Sequence, residues 1–179
     1  MVAAPIAVEQ RMRFSAGVLK SGSVFESAKS INQRMPQISR SVLVRYSAMQ
    51  MYQLVNDVES YKEFLPGCVG GKVLEFDGKT MLASVDISKA GISKTFTTRN
   101  QVVEGKSIEL QLENGPFKHL TGHWYFTELA EDACKVEFEL NFEFSSSLVG
   151  MAFGKVFKEL VTSMVTAFTQ RAKEVYSGK

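Results

Sequence analysis

Cys134-Lys135-Val136-Glu137-Phe138-Glu139-Leu140-Asn141-Phe142-Glu143-Phe144 is the stretch that decides the fold. Cys134, Val136, Phe138, Leu140, Phe142 and Phe144 share one parity, and Lys135, Glu137, Glu139, Asn141 and Glu143 share the other. Successive side chains of a strand point to opposite faces, so this strand is apolar on one side and wet on the other. A strand buried on both faces, as in a parallel sheet, would be apolar throughout. Clean alternation belongs to an antiparallel sheet with one covered face.

The cover follows in the chain. From Ser147 to Tyr176, the residues Val149, Phe153, Val156, Phe157, Leu160, Val161, Met164, Val165, Phe168, Ala172 and Val175 recur at steps of three and four. That is the stripe of an amphipathic helix, roughly 45 Å long at about 1.5 Å per residue. Lys155, Lys158 and Glu159 interrupt the segment, which excludes a membrane span. Gly150 and Gly154 open the helix, where they allow close packing on the sheet or a mobile first turn at a cavity mouth.

Upstream, strand-like runs alternate with turn signals. Val69–Phe76 ends at Asp77-Gly78, Lys79–Ser88 at Ala90-Gly91, Ser93–Val103 at Glu104-Gly105, and Ser107–Glu113 at Asn114-Gly115-Pro116. Phe117–Leu129 then leads into the last strand. Before them, Ile38–Tyr46 is expected to be a strand. Ser47 is a good N-cap for a helix over Ala48–Val55, and a second short helix starts after Ser60 and stops at Pro66-Gly67. The order predicts an α+β domain: a seven-stranded antiparallel sheet curled around a long C-terminal helix, with two short helices after the first strand. Periodicity alone fits a filled core and a cavity under the helix equally well.

The composition agrees with one globular domain of 179 residues, 45% hydrophobic and with 13 Phe against a single Trp. The net charge of +2 is uneven. Residues 1–34 carry five basic side chains (Arg11, Arg13, Lys20, Lys29, Arg34) against two acids (Glu9, Glu26), and the remainder is nearly neutral. The near-neutral balance of residues 35–179 argues against bulk electrostatic binding of nucleic acid and leaves room for a local basic patch. Residues 1–34 are Ser- and Ala-rich without periodicity and are expected to be a flexible tail or an extension upstream of a start at Met35, with a transit-like presequence as the remaining alternative. Two cysteines without a CxxC, Cys68 and Cys134, indicate no disulfide framework and a reducing cytoplasm.

Chemistry-bearing residues are sparse. His119 and His123 fall on a strand, where four residues span about 13 Å. Zinc bonds are about 2 Å long, so the pair cannot share an ion, and no metal is expected. No nucleophile stands beside a base in any local motif, and Cys68 after the Pro-Gly turn is more plainly a bystander than a catalyst. No catalytic residue is assigned. Asp86 lies between Val85 and Ile87, and its direction is open. Lys89, Lys94 and Arg99, together with Lys118, are candidates for a patch that binds phosphate or a protein partner, against the plainer alternative of ordinary edge lysines.

Three segments carry a resemblance. Ser60-Tyr61-Lys62-Glu63-Phe64-Leu65-Pro66-Gly67-Cys68 resembles the segment after the first helix in START-like proteins of the coenzyme Q-binding type. Lys89-Ala90-Gly91-Ile92-Ser93-Lys94-Thr95-Phe96-Thr97-Thr98-Arg99-Asn100 resembles the bacterial ribosome association toxins of that family, and so does the ending from Phe157-Lys158-Glu159-Leu160 to Ala172-Lys173-Glu174-Val175-Tyr176-Ser177. The similarity runs from about Met35 to Ser177.

It implies a START-like helix-grip domain over residues 35–179 with a hydrophobic cavity under the long helix. Phe64, Leu65, Pro66, Trp124, Phe138, Phe153, Phe157 and Val161 are its candidate lining. It further implies a cytoplasmic, non-enzymatic protein that binds the large ribosomal subunit and blocks subunit association, with Lys89, Lys94, Arg99 and Lys118 as the favoured surface and a small antitoxin protein as a further partner. The alternative it carries is a carrier or chaperone for ubiquinone, another polyprenyl quinone or another lipid, supporting respiration, with no required cofactor. A cyclase-like enzyme comes third.

Overall fold

The structure, a computed structural model, describes residues 37–177; the expectations for residues 1–34 lie outside them. The first strand, β1 (Gln37–Val44), leads to α1 (Ala48–Asn56). Ser47 caps α1 reciprocally: its hydroxyl accepts from the Gln50 amide while the Gln50 side chain accepts from the Ser47 amide, at 3.1 and 2.9 Å. A single 3₁₀ turn (Val58–Ser60), which the sequence did not signal, precedes α2 (Tyr61–Phe64). Then come β2 (Cys68–Phe76), β3 (Thr80–Lys89), β4 (Ile92–Val103), β5 (Ser107–Asn114), β6 (Phe117–Ala130) and β7 (Ala133–Phe144), and the chain closes with α3 (Ser147–Tyr176).

All neighbouring strands are antiparallel, in the order β1-β7-β6-β5-β4-β3-β2. Six consecutive strands form a meander of hairpins, and β1 docks beside β7. β1 and β2 are thus opposite edges of the sheet, and the short helices carry the chain from one edge to the other. The 3₁₀ turn lies directly on β2: a Cβ on Gly71 would stand 2.0 Å from the Val58 carbonyl oxygen, so only glycine fits.

The core lies between the apolar face of the sheet and α3. Val136, Phe138, Leu140 and Phe142 of β7 and Leu120, Trp124 and Phe126 of β6 are buried, as are Phe153, Phe157, Leu160, Val161, Val165, Phe168 and Ala172 of α3. Val175 departs from the expected stripe and is exposed, because the last turn packs inward through Ala172 and Tyr176 instead, with the Tyr176 ring against Tyr46. The rings of Phe96, Phe117, Phe142, Phe144 and Phe153 all pack around Phe157, with centroids 4.7 to 6.0 Å away. Gly150 and Gly154 seat this cluster: a Cβ at either would meet the Phe144 ring at 3.2 or 3.3 Å. The two glycines thus serve close packing on the sheet. Among the described residues no helix is long and apolar enough to cross a membrane.

Candidate functional site

A cavity of about 60 Å³ remains between the sheet and α3. Met81 and Ala83 of β3, Phe96 of β4, and Trp124, Phe138 and Leu140 of β6 and β7 form its sheet side. Phe157, Leu160, Val161 and Met164 of α3 form the opposite wall, and Val55, Tyr61 and Leu65 close one end. One water needs about 10–15 Å³ of such space, so the cavity admits a few water molecules, and it lies well below the roughly 300 Å³ of a drug-sized site.

Three uncharged polar side chains interrupt the apolar wall: Asn56 at the end of α1, and Thr98 and Asn100 on β4. Thr98 and Asn100 are only 5% and 4% exposed. They share the inward parity of Phe96 and Val102, so strand geometry turns them to the core. The side-chain oxygens of Asn56 and Asn100 are both buried and have no hydrogen-bond partner among the described residues. Sequence reasoning missed both asparagines. The available signal was that Asn100 stands on the parity of two apolar residues.

Tyr61 is the one titratable side chain lining the cavity. Its hydroxyl donates to the Val55 carbonyl, and burial holds the phenol protonated far above its ordinary range, with Cys68 and Asp57 adding in the same direction. Cys68 and Cys134 are buried free thiols outside the cavity lining. Burial pushes both upward, Cys134 to about 11, which leaves them as weak nucleophiles at neutral pH. Asp86 accepts a hydrogen bond from the Thr95 hydroxyl at the surface rather than facing the core.

Of the eight expected lining residues, Leu65, Trp124, Phe138, Phe157 and Val161 line the cavity. Phe153 does not: it is fully buried one turn before Phe157, inside the aromatic cluster around Phe117 and Phe144. Phe64 lies outside as well, edge-on to Phe168 at 5.1 Å with the Arg171 guanidinium over its face at 5.4 Å. Pro66 is exposed, and with Phe64 it borders a shallow groove beside α3. The four-residue α2 helix turns its Tyr61 inward, which leaves Phe64 on the flank.

The expected basic set divides between two faces. Lys89 and Lys94 stand at the β3–β4 hairpin on the parity of Ile87 and Phe96, next to α3. Lys89 meets Glu159 of α3 at 2.5 Å. Through that hydrogen bond and charge, with Lys155 adding, the Glu159 carboxyl is held below its usual range. Arg99 has the opposite parity and pairs with Glu113 at 3.1 Å on the outer face of the sheet, while Lys118 reaches Glu143 at 3.1 Å. Lys94 forms no ion pair among the described residues. Strand parity thus sets Arg99 on the face opposite Lys89 and Lys94, while Lys118 lies in the β-bulge between Phe117 and His119. The hairpin end instead gathers Lys89, Lys94 and Lys155, and the last of these escaped sequence reasoning because it comes from α3.

Residues 44–169 match the family described as polyketide cyclase / dehydrase and lipid transport. The chain is 63% identical to the persistence and stress-resistance toxin PasT of Escherichia coli O6:H1 and 62% identical to the ribosome association toxin RatA of Escherichia coli K12; each match spans 145 residues, 81% of this chain and 92% of the relative. It is 28% identical to a mitochondrial coenzyme Q-binding protein, COQ10 homolog B of Xenopus laevis, over 84% of this chain and 63% of that protein. Among solved structures, the Zhui aromatase/cyclase of a Streptomyces species superposes with a TM-score of 0.68 at 17% identity, covering 80% of this chain and 98% of the other, which shows the shared helix-grip fold.

Proposed function

Because the chain belongs to the polyketide cyclase / dehydrase and lipid transport family, we propose that within it this protein is a non-enzymatic binder of the RatA kind, which holds the large ribosomal subunit and blocks its association with the small one. The observation that carries this is the 62% identity extending over 92% of a relative named for ribosome association. The cavity chemistry supports binding over catalysis. Its single titratable lining group, Tyr61, is held protonated by burial, which leaves no coupled acid and base beside a bound molecule.

The docking surface we assign is the β3–β4 hairpin end. Lys94 stands there without an ion pair among the described residues, and Lys89 is held only by an exposed pair with Glu159. Exposed pairs contribute little, so a phosphate backbone can take the Lys89 cation over at small cost. Arg99 and Lys118 on the sheet's other face are the competing surface. Charge reversal separates the two. Lys89→Glu with Lys94→Glu is expected to weaken large-subunit binding at least tenfold and to flatten its salt dependence by about one unit of slope per lost phosphate contact. Unchanged binding in that variant, with loss in Arg99→Glu/Lys118→Glu, would move the site to the outer face.

A second reading has its own support. The cavity is apolar with a few placed polar groups, as small-molecule sites are, and a relative is named for binding coenzyme Q. In this reading the chain carries a polyprenyl quinone such as ubiquinone, or another lipid, and its space of about 60 Å³ must widen on loading. Organic extraction of purified protein followed by mass spectrometry tests it: a stoichiometric isoprenoid supports carriage, and an empty extract contradicts it.

A further inference from the structure

We propose that Asn56 and Asn100, with Thr98 between the apolar walls, form the polar end of the cavity and select an apolar molecule that carries a hydroxyl group. The inference rests on the second reading above, in which the cavity holds a ligand. Asn100 is 4% exposed on a central strand, paired to β3 and β5 on either side, so its side chain has no route to solvent. Both Asn100 and Asn56 line the cavity, and the carboxamide oxygen of each is buried without a hydrogen-bond partner among the described residues. Two such acceptors beside one small space call for a hydrogen-bond donor, since buried polar groups are nearly always paired.

The chemistry of the missing partner follows from the donor set. No charged side chain lines the cavity, so a buried carboxylate or ammonium would stand uncompensated. A ketone or oxidised quinone offers acceptors only and cannot donate to a carboxamide oxygen. A hydroxyl donates to one oxygen and accepts from the Thr98 hydroxyl or an amide NH₂, so it suits either orientation of the carboxamides. An alcohol, a phenol or the reduced quinol form of a quinone meets these terms. The remainder of the ligand lies against Trp124, Phe138 and Phe157, and Met81 and Met164 are the side chains able to yield space.

Trp124 lines the cavity and is the chain's single tryptophan, so its fluorescence reports occupancy directly. The full-length protein is titrated with cyclohexanol, cyclohexanone and cyclohexane, three probes of like size. The expected result is a saturable change in Trp124 emission with cyclohexanol at roughly tenfold higher affinity than with the other two, the worth of about one hydrogen bond. Asn100→Leu is expected to remove that preference, so that any remaining binding no longer favours cyclohexanol over cyclohexane. Equal affinities for all three probes in the natural protein would overturn the hydroxyl selection and leave the cavity reading standing. No change with any probe would overturn both, and the space would be a water site only. The comparison within the natural protein decides the matter even if Asn100→Leu does not fold.

Discussion

Asn100→Leu is expected to raise stability, against the general run of core substitutions. A buried polar group left unsatisfied costs about 1–3 kcal/mol, and leucine of similar length removes that cost without leaving an orphan. The adjacent space of about 60 Å³ accepts the branched side chain, so overpacking is avoided. β4 pairs with both neighbours at this position through its backbone, and leucine keeps that ladder. The net gain is about 1–2 kcal/mol. For a domain of this size, each kcal/mol moves Tm by roughly 3 °C, which gives a rise of about 3–6 °C. The assay is calorimetry beside urea titration followed by far-ultraviolet circular dichroism at pH 7, with the slope in urea checked for constancy. Destabilisation by about 1 kcal/mol or more would show that the Asn100 oxygen is satisfied in solution, and the reasoning from orphaned acceptors would fail. A stabilised Asn100→Leu that no longer prefers cyclohexanol would mark a position where stability yields to binding.

Two further predictions concern the core. Phe157→Ala removes the ring on which five other phenylalanines converge and should cost about 3–5 kcal/mol, read as a fall in urea midpoint; a loss below about 1 kcal/mol would contradict the packing described. Cys134 supplies a pH dependence. Its folded pKa of about 11 lies above the ordinary 9.0, so its contribution is fully present below about pH 9 and declines as pH rises toward 11. Tm should therefore fall more steeply over that range in the natural protein than in Cys134→Val, and identical slopes would refute the burial argument.

The α+β architecture was legible because two segments state it openly. The alternation from Cys134 to Phe144 and the stripe from Phe153 to Ala172 gave the covered sheet and its helix, and the structure places β7 and α3 over those residues. The turns at Asp77-Gly78, Ala90-Gly91 and Glu104-Gly105 all have glycine at positive φ, which is why dipeptide signals marked them. The site was less legible for two physical reasons. On β4, Thr98 and Asn100 occupy the inward parity, so the polar pattern there conceals which face is buried. Ion pairing depends on contacts distant in sequence: Glu159 lies 70 residues from Lys89, and Glu143 lies 25 from Lys118. Composition can propose a basic patch, but strand parity and α3 decide which of its cations share a face. Phe153 and Phe157 show the same limit, since one helical stripe supplies both a cavity wall and a filled aromatic cluster.

The central claim is association with the large ribosomal subunit, and it is tested most directly by sedimenting the full-length protein with separated large and small subunits at about 50 and 200 mM salt. The account predicts co-migration with the large subunit alone, weakened at the higher salt, with free small subunits excluded from joining. Absence of co-migration with the large subunit at the lower salt would contradict it.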